Sequence, residues 1–244
     1  MPRYALYHCP SPCSALWQFG SAVLGYDSHR ATTVAHPAWP SLSEARFSRW
    51  SQAPRRYGFH ATVKAPFHLR SGMLEDHLIE RVETLAPSLA PVELGRLQIA
   101  TLGRFSALLP GAASKELASL ASRCGACLEP LRAPLATADR DRRLAAGLTA
   151  RQITLLDGYG YPYVHDEFRF HMTLTGALPS SEREAALGVL RAAYQPIDEP
   201  VVVDALSLLR QDGPDTRFTV IGRWPLNHPP SFSHSPPNWV LDDA

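Results

Sequence analysis

Phe59-His60-Ala61-Thr62-Val63-Lys64-Ala65 alternates between two kinds of side chain. In an extended strand successive side chains face opposite ways, so Phe59, Ala61, Val63 and Ala65 share an apolar face while His60, Thr62 and Lys64 share the other. Phe168-Arg169-Phe170-His171-Met172-Thr173-Leu174-Thr175 divides in the same manner, with Arg169, His171, Thr173 and Thr175 on its polar face. A lone strand histidine is ordinarily structural. Two matched His-x-Thr strands, each placing a proton carrier beside a hydroxyl, point to paired chemistry.

Each motif also opens a block of the same order. After the first, apolar Leu74, Leu78, Val82 and Leu85 predict a helix over Leu74–Ala86, followed by strands over Val92–Ala100 and Phe105–Leu109. After the second, the capping box Ser181-x-x-Glu184 predicts a helix from about Glu182 to Tyr194, then strands over Val201–Leu209 and Arg217–Trp224. The next β-rich run begins 32 residues after His60 and 30 after His171. The blocks read as an internal duplication that has lost sequence identity outside the histidine strands.

Around them, Tyr4–Tyr7 suits a strand, and Ser14 caps a helix carrying Leu16, Trp17, Gly20, Val23 and Leu24 that Gly25 stops. Residues 25–54 read as a long loop at the site's rim, with a short helix over Glu44–Trp50. Lys115–Leu128 is expected as a helix. Asp139-Arg140-Asp141-Arg142-Arg143 is expected as a solvated loop because acids interleave with the arginines, and Thr149-x-x-Gln152 opens a short helix closed by Gly158 and Gly160. The expected organisation is one bilobal catalytic domain over 1–226 and a Pro-rich extended tail over 227–244.

The chain has 244 residues, 45% hydrophobic and 19% charged, with a formal net charge of +1, enough for a sizeable core but without a global pull toward long polyanions. No apolar run is long enough for a membrane span, and Met1–Tyr7 lacks a signal core, so a cytoplasmic protein without membrane association is expected. Cys124-Gly125-Ala126-Cys127 has zinc or dithiol spacing, yet Leu117, Leu120, Ala121, Cys124 and Leu128 repeat at helical intervals, which makes Cys124 a core residue. No His-x-x-x-His or carboxylate cluster flanks either motif, so neither a metal nor another cofactor is expected. His68 and His165 are expected at the rim or surface.

His60-Ala61-Thr62-Val63 and His171-Met172-Thr173-Leu174 resemble the signature of the two-histidine (2H) phosphoesterase superfamily, one His-x-Thr/Ser-x motif per lobe, which includes RNA ligase-like cyclic phosphodiesterases. Arg56 to Phe67 and Glu167 to Gly176 are similar to a bacterial branch often encoded beside phosphonate-utilisation genes. The resemblance implies an α+β fold, bilobal with pseudo-twofold symmetry, in which two antiparallel sheets flanked by helices surround a central cleft. It also implies that His60 and His171 are catalytic.

Opening a cyclic phosphodiester needs a base to take a proton from water and an acid to give one to the departing oxygen, on opposite sides of phosphorus. Two imidazoles titrating near neutrality suit that task, and Thr62 and Thr173 can donate to the nonbridging oxygens. Lys64 and Arg169 are candidates to add positive charge at the phosphate, while Tyr57 and, more weakly, Tyr163 are candidates for the cleft wall. Which histidine is base is left open. The expected partner is a small phosphorylated substrate, either a nucleoside 2′,3′-cyclic phosphate or a phosphorylated ribose cyclic phosphate. RNA-end processing (cyclic phosphodiesterase or ligase) and a non-catalytic phosphate-binding module are the alternatives. The oligomeric state is open, a monomer being compatible with the sequence.

Overall fold

The computed structural model describes residues 1–39 and 43–227. The expected Pro-rich tail therefore lies, beyond residue 227, outside the described residues. Strand β1 (Arg3–His8) leads to helix α1 (Ala15–Leu24), where the Ser14 side chain accepts from the Trp17 amide and Gly25 turns left-handed at φ 70°. The expected long loop is instead structured: β2 (Tyr26–Asp27) and β3 (Thr32–Thr33) pair as a small ribbon, and α2 (Glu44–Arg55) runs past Trp50. Phe47, Trp50, Ser51 and Pro54 recur at helical spacing on its buried side, so tertiary packing rather than local propensity carries the helix onward.

There follow β4 (Ala61–Phe67), α3 (Glu75–Leu85), β5 (Val92–Leu102), β6 (Phe105–Pro110) and α4 (Lys115–Leu128). The arginine-rich run forms helix α5 (Thr137–Leu144) rather than a loop, and its Arg140 pairs with Asp157 of the next helix, α6 (Ala150–Tyr159), at 2.7 and 3.0 Å. Helix α6 carries the expected Thr149–Gln152 capping box. After β7 (Met172–Thr173) comes α7 (Ser180–Tyr194), capped at Pro179 without a side-chain hydrogen bond, so the Ser181–Glu184 box is not its start. Glu182 in its first turn instead accepts from Trp50 Nε1 at 2.6 Å and Arg49 at 3.0 Å. The chain closes through β8 (Pro200–Val203), β9 (Ala205–Gln211) and β10 (Thr219–Pro225).

The molecule is α+β, with a curled antiparallel sheet in the order β10-β9-β1-β4-β7-β6-β5-β8 flanked by helices. Two four-stranded halves meet where the motif strands touch, through the pair Ala61 and Met172. Each half draws strands from both parts of the chain, before and after β6. The hairpin β5–β6 that follows the first motif pairs with the second motif strand, and the hairpin β9–β10 that follows the second motif lies on β1, beside the first. The run expected as one strand, Val201–Leu209, breaks at Asp204 because its two ends serve different halves: β8 pairs with β5 and β9 with β1. One apolar core runs under the whole sheet.

Candidate active site

His60 and His171 stand one residue before β4 and β7, at the seam between the halves. Gly58, at φ 71°, directs its carbonyl at His60 Nδ1, 2.9 Å away, and the Arg169 carbonyl does the same for His171 Nδ1 at 2.9 Å. A carbonyl can only accept, so both Nδ1 atoms carry a proton and both neutral rings present an Nε2 lone pair. Thr62 Oγ1 lies 3.2 Å from His60 Nε2. The two histidines are thus held by the same local device.

The first ring is further fixed by Tyr7, which stacks on His60 at 3.7 Å between centroids and 16° between planes. Tyr7 is buried and pairs with Thr62 across β1 and β4. Tyr57 lies 6.3 Å from His60 and stacks on Phe218, while Phe105 sits 5.7 Å from His171. Burial lowers the pKa of His60 to about 4, helped by the charge of His171, and burial also lowers that of His171. Low polarity penalises the imidazolium, so both rings are neutral at pH 7.

A cleft of about 570 Å³ holds His60, His171, Thr62, Thr173, Tyr57 and Tyr163 together with Arg3, Tyr7, Phe105, Arg142 and Arg143. Tyr7, Arg3 and Phe105 carried no signal in the sequence, because they arrive on β1 and β6, which only sheet pairing brings to the motifs. A second cavity of about 440 Å³ adjoins it, sharing Thr62, Phe105, Tyr161, Tyr163 and His171. Arg169, exposed, borders this second space rather than the first.

Lys64 departs from the alternation expected of it. Tyr7 faces Thr62 while Leu6 faces Lys64, so two residues of β4 oppose one step of β1, a bulge that turns Lys64 to the opposite side. There it is buried beneath α4, its Nζ 2.8 Å from Glu129, whose other oxygen binds Arg132. The second motif strand is likewise shorter than Phe170–Thr175. The amides of Leu174 and Thr175 both reach Ser106 O, at 2.9 and 3.2 Å, which ends the ladder, and buried Thr175 Oγ1 accepts from the Ser106 amide. Thr175 is thereby committed to the fold.

Cys124 is buried in α4, its thiol pushed up to about 12, and Cys127 is half-buried beside it. Among the described residues no three His, Cys, Asp or Glu side chains converge as metal ligands, and no helix is long and apolar enough to cross a membrane. His68 Nδ1 donates to the Pro2 carbonyl, and His165 packs against Tyr159, both away from the cleft.

Two curated proteins named ribose 1,5-bisphosphate phosphokinase PhnN are similar to this chain. The protein from Janthinobacterium sp. (strain Marseille) is 35% identical over 232 residues, 93% of this chain and 51% of its own length. The protein from Laribacter hongkongensis (strain HLHK9) is 39% identical over 202 residues, 80% of this chain and 46% of its own length. The chain spans about half the length of these relatives. Similar solved structures include TT0787 of Thermus thermophilus, 16% identical with a TM-score of 0.43 over 93% of this chain and 98% of that one. E. coli LigT complexed with ATP is 12% identical, with a TM-score of 0.39 over 92% of this chain and 96% of that one. A family model described as protein of unknown function (DUF1045) matches residues 62–219, which take in Thr62 and the whole second motif, and the chain belongs to that family.

Proposed function

We propose that the protein is a metal-independent phosphoesterase that hydrolyses a small cyclic phosphodiester by two-histidine general acid–base catalysis. The observation that carries this reading is the pair of imidazoles, each pinned through Nδ1 to the carbonyl two residues upstream, each free to work through Nε2 in one cleft. His60, whose pKa is the more firmly depressed, is the base: it takes a proton from water as the water oxygen attacks phosphorus. The endocyclic P–O bond breaks, and His171, less enclosed and protonated under the influence of the bound anion, gives its proton to the departing sugar oxygen. The product is a phosphate monoester. Thr62 and Thr173 bind the nonbridging oxygens.

The substrate is a nucleoside 2′,3′-cyclic phosphate or a phosphorylated ribose cyclic phosphate. The name of the curated relatives concerns a phosphorylated ribose, which favours the second; a place in phosphonate metabolism is what the resemblance of the two motif segments implies. Their kinase activity is not carried over: this chain's two lysines, Lys64 and Lys115, do not follow glycine as a Gly-x-x-x-x-Gly-Lys phosphate loop requires. Ring opening of both substrate types is the direct test, with and without chelator. Replacing either histidine, His60→Ala or His171→Ala, is expected to lower kcat by about 10²–10⁴-fold. Full activity in either variant, or activity that a chelator removes and a metal restores, rejects the mechanism. Binding without turnover by the unaltered chain favours a phosphate-binding module instead.

A further inference from the structure

Among the described residues, the wall of the histidine cleft contains three arginines, Arg3, Arg142 and Arg143, and no aspartate or glutamate, in a chain whose net charge is only +1. The arginines of α5 have separate tasks. Arg140 is locked onto Asp157 and does not line the cleft, while Arg142 is exposed and paired with Asp139. Arg143 differs from both: its guanidinium lies 5.3 Å from the centre of the Tyr161 ring, and its buried Nε has no hydrogen-bond partner among the described residues. Arg3, also on the cleft wall, is held through Nε by Gln211 Oε1 at 2.8 Å, a neutral partner that fixes the side chain without cancelling its charge. The scissile phosphate already has the histidines and threonines, so these guanidinium groups are surplus to it.

We propose that Arg143, with Arg3, forms a second anion subsite in this cleft, and that the substrate is a small sugar cyclic phosphodiester bearing an additional phosphate monoester. The inference rests on the reading that the histidine pair opens a cyclic phosphodiester, and it narrows the substrates left open there. A phosphate monoester offers three acceptor oxygens and nearly two negative charges to forked donors, a match that a neutral hydroxymethyl group cannot make. The cleft's volume, about 570 Å³, accommodates such a compact bisphosphorylated sugar.

The test measures kcat/KM of the full chain on matched pairs: ribose cyclic phosphate with and without a 5-phosphate, and adenosine 2′,3′-cyclic phosphate with and without a 5′-phosphate. The phosphorylated member of at least one pair is expected to be preferred by about 30-fold or more, and the preferred pair identifies the scaffold. In Arg143→Ala the ratio within that pair collapses, and Arg143→Lys restores part of it. Where Arg143→Ala does not fold, Arg143→Gln, which keeps a stem over Tyr161, reads the same ratio. No preference in the unaltered chain, or a proportional loss on both members, overturns the subsite. Calorimetry with ribose 5-phosphate, on the His60→Ala/His171→Ala chain with and without the Arg143 change, separates this proposal from the catalytic one. Binding weakened by about tenfold or more upholds the subsite even if no cyclic phosphate turns over. Binding absent from the parent or indifferent to Arg143 overturns it even where ring opening is seen.

Discussion

His60 and His171 share a tautomer but not an environment, and the difference governs how activity should respond to pH. A base works only when unprotonated and an acid only when protonated. With the His60 pKa at about 4 and that of His171 below 6.5, kcat/KM should rise with pH through about 4 and fall again before neutrality, giving a bell on the acid side. A profile still climbing above pH 7 would remove the assignment of roles. Lys64 supplies a contrasting case. Buried against Glu129 rather than facing the cleft, it is expected to matter for stability: Lys64→Met should cost about 3 kcal/mol in urea unfolding while kcat/KM changes little. A large loss of kcat/KM in a stable Lys64→Met protein would return this residue to the phosphate. Strand alternation placed His60 and Thr62 together correctly, but a one-residue bulge is a property of pairing with β1, and nothing in the local sequence announced it.

At the scale of elements, the motif strand is steadied from behind by α1. A Cβ on Gly20 would lie 2.1 Å from the ring of Phe59, which is fully buried and immediately precedes His60. Gly20→Ala should therefore force the ring and its strand to move, costing about 2 kcal/mol in thermal or urea unfolding and displacing His60 enough to lower kcat. Unchanged stability and kcat would show that the contact between α1 and the motif strand is slack. Helices with strong periodicity, α1, α3, α4 and α6, were legible in the sequence to within a residue or two because caps and apolar spacing are local. Helix α5 was not. It buries no residue, and its bidentate ion pair to α6 is one that no short window along the chain contains.

For the whole molecule, the exchange of hairpins makes the two halves of the chain interdependent. Strands β1 and β4 need β9 and β10, and β7 needs β5 and β6, so the core closes only when both parts of the chain are present. A fragment ending near residue 135 would leave β4 and β6 as open edges over uncovered apolar faces. Such a fragment should show no cooperative unfolding transition, and mixing it with the complementary fragment should restore one. A cooperative transition in the isolated fragment would mean that continuous stretches of chain, rather than the mixed sheet halves, are the folding units.

The sequence by itself determined the motif pair, the ends of the periodic helices and the near-identical spacing of the two blocks, because each is written in residues a few positions apart; the α+β class followed from the family resemblance that the motif pair carries. It could not show that His60 rests on Tyr7, that Lys64 turns beneath α4, that Val201–Leu209 is shared between two sheet halves, or that Arg3 and Arg143 meet in one cleft. Those facts depend on pairings between β1, β4, β5 and β9 across up to some two hundred residues of chain, and only the closed sheet brings such partners into contact.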